Sequence, residues 1–230
     1  GFAPSEIPQL VQRLQKQSAV IPRSVFSHLV GSDAERFDAF TRHQIETFEA
    51  ASTTLQEGFK HKIIRHICNT AGIERYPGAQ FDMVRLGIGL YGIDPFTNKM
   101  LHNVTTLKTT ILQIHEVPAN ETVGYSRKGV LTRDSRIAAI PIGYADGLNR
   151  HLGNGHAYCQ VNGQKAPYVG NICMDVCMID VTDIDCKEGD KAIIFGDDLP
   201  VTVLSDILET IPYEILTSVS NRVKRVYYQD

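Results

Sequence analysis

The chain has 230 residues, of which 43% are hydrophobic and 21% charged, enough to bury a core in one large domain or two small ones. A formal net charge of -3 without a basic block excludes nucleic acid as an expected partner. No apolar run approaches the roughly 18 residues of a membrane span, and Gly1-Phe2-Ala3-Pro4 lacks the charged and apolar regions of a signal peptide. Along the chain, Ser5 is placed to cap a helix with the apolar face Ile7, Leu10, Val11 and Leu14. Ser24 to Val30 reads as a short strand ending near His28. Ser32 and Glu35 have capping-box spacing before a helix carrying Phe37, Phe40, Phe48 and Leu55 on one face. Lys62 to Ile67 and Asp82 to Leu86 read as further strands. These alternate as βα units of a parallel sheet.

The pattern changes after Pro95. Val104 to Val117 is rich in Thr and Ile and alternates as strands do. Arg136 to Ile142 follows, then Ala157 to Val161 and Gln164 to Val169 around Asn162-Gly163, a strong hairpin signal. Ile172 to Val181 and Lys191 to Phe195 read as strands, Val203 to Thr210 as a helix, and another helix begins near Pro212. The second half is therefore expected to be mainly antiparallel β, with a boundary at about residue 97. The first part, with so few parallel strands, is either a small open α/β layer or the end of a barrel, which takes about eight. Five cysteines, at 68, 159, 173, 177 and 186, are odd in number and loosely spaced. They predict reduced, buried thiols and a cytoplasmic location.

Several residues could carry chemistry, each with a plainer reading. Gly87-Ile88-Gly89-Leu90-Tyr91-Gly92 has the spacing of a dinucleotide fingerprint, but Asp94-Pro95 replaces the helix that motif needs. Its glycines still suit close backbone approach to a phosphate. Arg85 lies within an apolar strand and needs a partner when buried, as catalytic or as structural ion-pair residue. His28 sits at its own strand end and could equally be structural. Tyr125 and Tyr144, in two Gly-Tyr pairs, could serve as acid or base or simply pack on a β surface. Met174 falls in an alternating strand where a core methionine is the default.

Together, seven collinear segments resemble the alanine racemase family: Phe26 to Leu29, Cys68 to Gly72, Phe81 to Gly92, Val123 to Ser126, Ile142 to Gly147, Val169 to Asp175 and Ile211 to Leu216. The resemblance implies the last strands of a (β/α)8 barrel in residues 1–97 and the antiparallel β domain of that family in residues 98–230. It implies pyridoxal 5'-phosphate as cofactor and a homodimer in which each active site is shared between subunits. Tyr125 takes the place of the catalytic tyrosine, with His28 and Arg85 behind it and Arg85 facing the pyridine nitrogen. Thr70 with the amides of Gly87 and Ile88 matches the phosphate cradle, and Tyr144 and Met174 match residues lining the substrate end. The implied activity is interconversion of L- and D-alanine for peptidoglycan synthesis, in a protein some bacteria fuse to a Mur ligase.

Departures limit that expectation. The family's Schiff-base lysine, in a Lys-x-x-Ala-Tyr-Gly type motif, has no counterpart here. Gly1-Phe2 resembles an internal junction of the family and no initiator Met is present, so the chain reads as a piece that is inactive alone. Asn221 stands where some members have a phosphate-binding tyrosine. Two rival expectations remain: a non-catalytic dimerisation domain of a larger enzyme, and a racemase of another small amino acid such as serine.

Overall fold

In the computed structural model, which describes residues 1–228, the chain divides between His102 and Asn103 into two units. The first is α/β. Helix α1 (Ile7–Gln15) precedes strand β1 (Ser24–Phe26), helix α2 (Asp38–Glu57), strand β2 (Ile64–His66) and helix α3 (Thr70–Arg75). β1 and β2 pair in parallel, with Val25 opposite Arg65 and Phe26 opposite His66. Parallel neighbours require a crossover, and α2 supplies it.

The apolar face of α1 forms as its spacing predicts: buried Ile7, with Leu10, Val11 and Leu14 beside it, packs with Leu55 and Ile63. Ser5 does not cap it, since it lies within the single turn Pro4–Glu6 that leads into the helix. The expected capping box at Ser32 does not form either. Its hydroxyl donates instead to Asn69 Oδ1 at 2.9 Å, and α2 starts only after a turn at Glu35–Phe37. Phe37 therefore lies outside the helix. The buried positions of α2 are Thr41, Phe48, Ser52 and Leu55, while Phe37 and Phe40 stay exposed. The segment Asp82 to Leu86 runs beside β2 without becoming a strand. It makes only two backbone bonds there, Asp82 N–H to Arg65 O at 3.1 Å and Arg85 N–H to Cys68 O at 2.9 Å.

The second unit is an antiparallel sheet of seven strands in the order β3-β11-β8-β9-β10-β7-β4. These are β3 (Leu107–Thr110), β4 (Gln113–Val117), β7 (Ser135–Ile140), β8 (Tyr158–Val161), β9 (Gln164–Val169), β10 (Cys177–Asp180) and β11 (Lys191–Phe195). A small separate pair, β5 (Thr122–Val123) and β6 (Gly129–Val130), brackets Tyr125. The run 104–117, expected as one alternating stretch, is split between the two edges of the sheet. Ile111 N–H bonds Asp190 O on the β11 side, and Leu112 N–H bonds Ala139 O on the β7 side. Adjacent residues can do this only if the sheet curls until its edges meet. Alternate residues then fill the interior: Cys159 and Val161, Ala166 and Tyr168, and Cys177, Ile179 and Val181 are all buried. The hairpin at Asn162-Gly163 forms with both residues at positive φ, +48° and +76°. Helices α4 (Val201–Ile207) and α5 (Pro212–Ser218) follow. Of the expected strand Ile172 to Val181 only β10 is regular. All five cysteines are free thiols, and no helix of the described residues is long and apolar enough to cross a membrane.

Candidate active site

In the α/β unit the candidate residues converge on Arg85. The residues after β1 and β2 lie side by side because the strands are paired in register, and the segment 82–86 brings Arg85 across them. Its Nη2 donates to Ser27 O at 2.7 Å and to His28 Nδ1 at 3.2 Å, and its Nη1 donates to His66 Nδ1 at 2.7 Å. The guanidinium carbon lies 5.2 Å from the ring centre of Phe26, which in turn stacks on His66 at 5.3 Å. Arginine has only donors, so both imidazole Nδ1 atoms must accept. The neutral rings therefore carry their proton on Nε2. Burial pushes the pKa of His66 down, and the charge of Arg85 adds to the shift. The Nε–H of Arg85 has no acceptor among the described residues.

Beside this cluster, Thr70 opens α3. Its hydroxyl accepts from the amides of Gly87 at 2.9 Å and Gly89 at 3.3 Å, while the Ile88 amide has no acceptor among the described residues. A Cβ at Gly89 would lie 2.8 Å from Thr70 Cγ2 and 2.9 Å from Leu86 Cδ1, so glycine is needed for this close approach. The apparent dinucleotide fingerprint is thus a short turn, Ile88–Tyr91, ending at left-handed Gly92.

In the β unit, Tyr125, Tyr144 and Met174 are exposed to 73%, 45% and 52%, so none is a core packing residue of this unit. Their loops are tied together. Tyr144 N–H bonds Cys173 O and Ala145 N–H bonds Met174 O, both at 3.0 Å. A Cβ at Gly143 would come within 2.3 Å of both carbonyl oxygens. Tyr125 stands on a turn whose carbonyl accepts from Asn171 Nδ2 at 3.1 Å. Below Tyr144, buried Asp146 accepts from the Gly143 amide at 2.9 Å and from Arg222 Nε at 2.7 Å. Burial alone would raise its pKa, but Arg222 and the amide outweigh that and hold it below the usual carboxylate range. Arg222 also reaches Asp175 at 2.6 Å, so it ties the segment carrying Asn221 to the loops of Tyr144 and Met174.

Sequence reasoning missed His66 and Asn171. The signal for His66 was present, since a buried arginine requires acceptors and His66 ends the neighbouring strand. Asn171 gave none beyond its place in a loop.

The family model for the alanine racemase N-terminal domain matches residues 1–95, and that for the alanine racemase C-terminal domain matches residues 104–227. The chain belongs to the alanine racemase family. Alanine racemase 1 of Clostridium acetobutylicum is 39% identical over 100% of this chain and 62% of its own length. The alanine racemase of Clostridium novyi is 38% identical with the same coverage. Among solved structures, alanine racemase of Clostridium difficile 630 matches with a TM-score of 0.90 at 33% identity, over 99% of this chain and 61% of that one. Alanine racemase of Bartonella henselae, solved with covalently bound pyridoxal phosphate, matches with a TM-score of 0.84 at 33% identity, over 99% and 63%. The chain spans about three fifths of the length of these relatives. The match to the N-terminal domain model falls within the α/β unit and that to the C-terminal domain model within the β unit.

Proposed function

We propose that this chain supplies the tyrosine side of an alanine racemase active site, with residues 1–97 as the end of the barrel and 98–230 as the β domain. The observation that carries the reading is Arg85, held between two imidazoles with its Nε–H unpaired, next to the Thr70 turn with its unpaired Ile88 amide. These residues fit pyridoxal 5'-phosphate. The Thr70 hydroxyl hydrogen and the Ile88 amide would hold the phosphate, joined by the Gly87 amide if it turns from Thr70 Oγ1 to the phosphate, and Arg85 would face the ring nitrogen. When bound, the cofactor supplies an electron sink for the bond at the substrate Cα.

The chain's own residues have defined parts. Arg85 stays protonated, so it keeps a ring nitrogen facing it unprotonated. It also fixes His28 with Nε2–H as a donor. Tyr125 would exchange a proton at one face of the substrate Cα in the partner's site, where the corresponding imidazole Nε2–H would stabilise the phenolate left behind. The opposite face requires a lysine. Lys62, which precedes β2, is instead engaged by Asp82 at 2.7 Å. Tyr144 and Met174 would line the substrate end. Alanine is the proposed substrate, with D-alanine for peptidoglycan as product. A cytoplasmic homodimer, in which Tyr125 serves the partner's cofactor, belongs to the same proposal. A pure dimerisation platform would leave the Arg85 arrangement without a task.

The test is a racemisation assay on this chain alone and with an added N-terminal barrel segment of the family. Activity is expected only on complementation, and Tyr125→Phe should lower it by about two orders of magnitude or more. Activity in the chain alone would overturn the division of bases.

A further inference from the structure

We propose that Asn171 is the positioning residue for Tyr125, acting as a donor clamp on the turn that carries the phenol. The proposal rests on the catalytic reading of Tyr125 given above. The turn is unfavourable by itself. Gly124 has φ +78°, and the non-glycine residues Ser126 and Arg127 have φ +59° and +54°. Left-handed backbone is strained for a residue with a Cβ. Such a conformation persists only where its surroundings hold it.

Within the turn Arg127 Nε donates to Thr122 Oγ1 at 3.1 Å, and the hold on the Tyr125 carbonyl comes from Asn171. Asn171 is only 8% exposed, so its amide must find partners. Its Nδ2 donates to Tyr125 O at 3.1 Å, and its Oδ1 accepts from Asn154 Nδ2 at 3.1 Å. Asn154 is itself anchored, with its backbone N–H on Gly170 O at 2.8 Å. The neighbouring glycines let the backbones meet. A Cβ at Gly170 would lie 2.6 Å from Val123 O, and one at Gly129 would lie 2.9 Å from Gly170 N. A chain of two amides therefore runs from Gly170 through Asn154 and Asn171 to the carbonyl of Tyr125. It fixes the backbone at the residue whose side chain is the exposed phenol.

Asn171→Asp separates this role from packing. Aspartate has the same shape and still accepts from Asn154, but it cannot donate to Tyr125 O. Amide exchange of Arg127, whose N–H closes the turn on Gly124 O at 3.3 Å, reports the loop directly. Both Asn171→Asp and Asn171→Ala should speed that exchange about tenfold, as for one lost hydrogen bond. Asn154→Ala should speed it less, which keeps the test open if an Asn171 variant folds poorly. In the complemented enzyme, Asn171→Asp should lower kcat with KM little changed. Parent-like Arg127 exchange in Asn171→Asp overturns the proposal, and so does a loosened loop with kcat unchanged. Tyr125→Phe tests the catalytic reading separately, so the two can fail independently.

Discussion

The two units solve the same problem by different means. In the α/β unit, polar side chains are held by other side chains: the Arg85 guanidinium joins the His28 and His66 imidazoles, the Phe26 ring packs on Arg85 and His66, and the Arg85 Nε–H is left unpaired among the described residues. In the β unit, exposed side chains are held through their backbones, by glycines that let chains touch and by amides that clamp carbonyls. The first arrangement depends on charge and tautomer. The second depends on the absence of a Cβ where chains touch, with the ion pairs of Arg222 to Asp146 and Asp175 added at the loops of Tyr144 and Met174.

That contrast can be broken by substitution. Gly143→Ala should be the most damaging change, because its Cβ would fall 2.3 Å from the carbonyl oxygens of Cys173 and Met174. Backbone must move, and a loss of about 3 kcal/mol or more in urea unfolding is expected. A mild effect would show that the 143–145 segment is not held by close approach. Arg85→Ala should cost about 1–3 kcal/mol, by leaving Ser27 O and two imidazole acceptors unsatisfied. Arg85→Lys should recover only part, since one ammonium lacks the fork that reaches both histidines. Full recovery by lysine would mean that charge alone organises that unit.

The smallest expected effect is on pH dependence. The folded pKa of His66 is lowered, so the folded state binds fewer protons than the unfolded one just below the ordinary histidine value of 6.5. Stability is then full above about pH 6.5 and falls as pH drops through the lowered value. His66→Gln keeps an acceptor for Arg85 but cannot titrate. Between about pH 7.5 and about pH 5, the parent should lose more stability than this variant. Equal losses would remove His66 from the electrostatic account.

Much of this organisation was legible in residue order. The α1 face, the Asn162-Gly163 hairpin and the change from α/β to β character follow from periodicity and turn chemistry, whereas His28 and Arg85 were linked only through the family resemblance, and Arg85 lies on a segment that is not the expected strand. What was not legible depends on partners distant in sequence. Ser32 had the spacing of a cap, but its hydroxyl is turned to Asn69 and α2 begins only at Asp38. Asp82 to Leu86 had strand composition but found only two bonds beside β2. Residues 104–117 formed one alternating run, yet Ile111 and Leu112 face opposite edges of a curled sheet. His66 and Asn171 matter through atoms supplied by residues 85 and 125, and no local pattern encodes that.

Arg85 has one further consequence. A guanidinium between two imidazoles looks like a wire for protons, but it does not release one at any accessible pH. It is an insulator. A proton reaching His28 cannot travel on to His66, so the two rings stay electrically separate despite sharing one neighbour. In the proposed active site, that dead end would confine proton transfer through His28 to its Nε2 side.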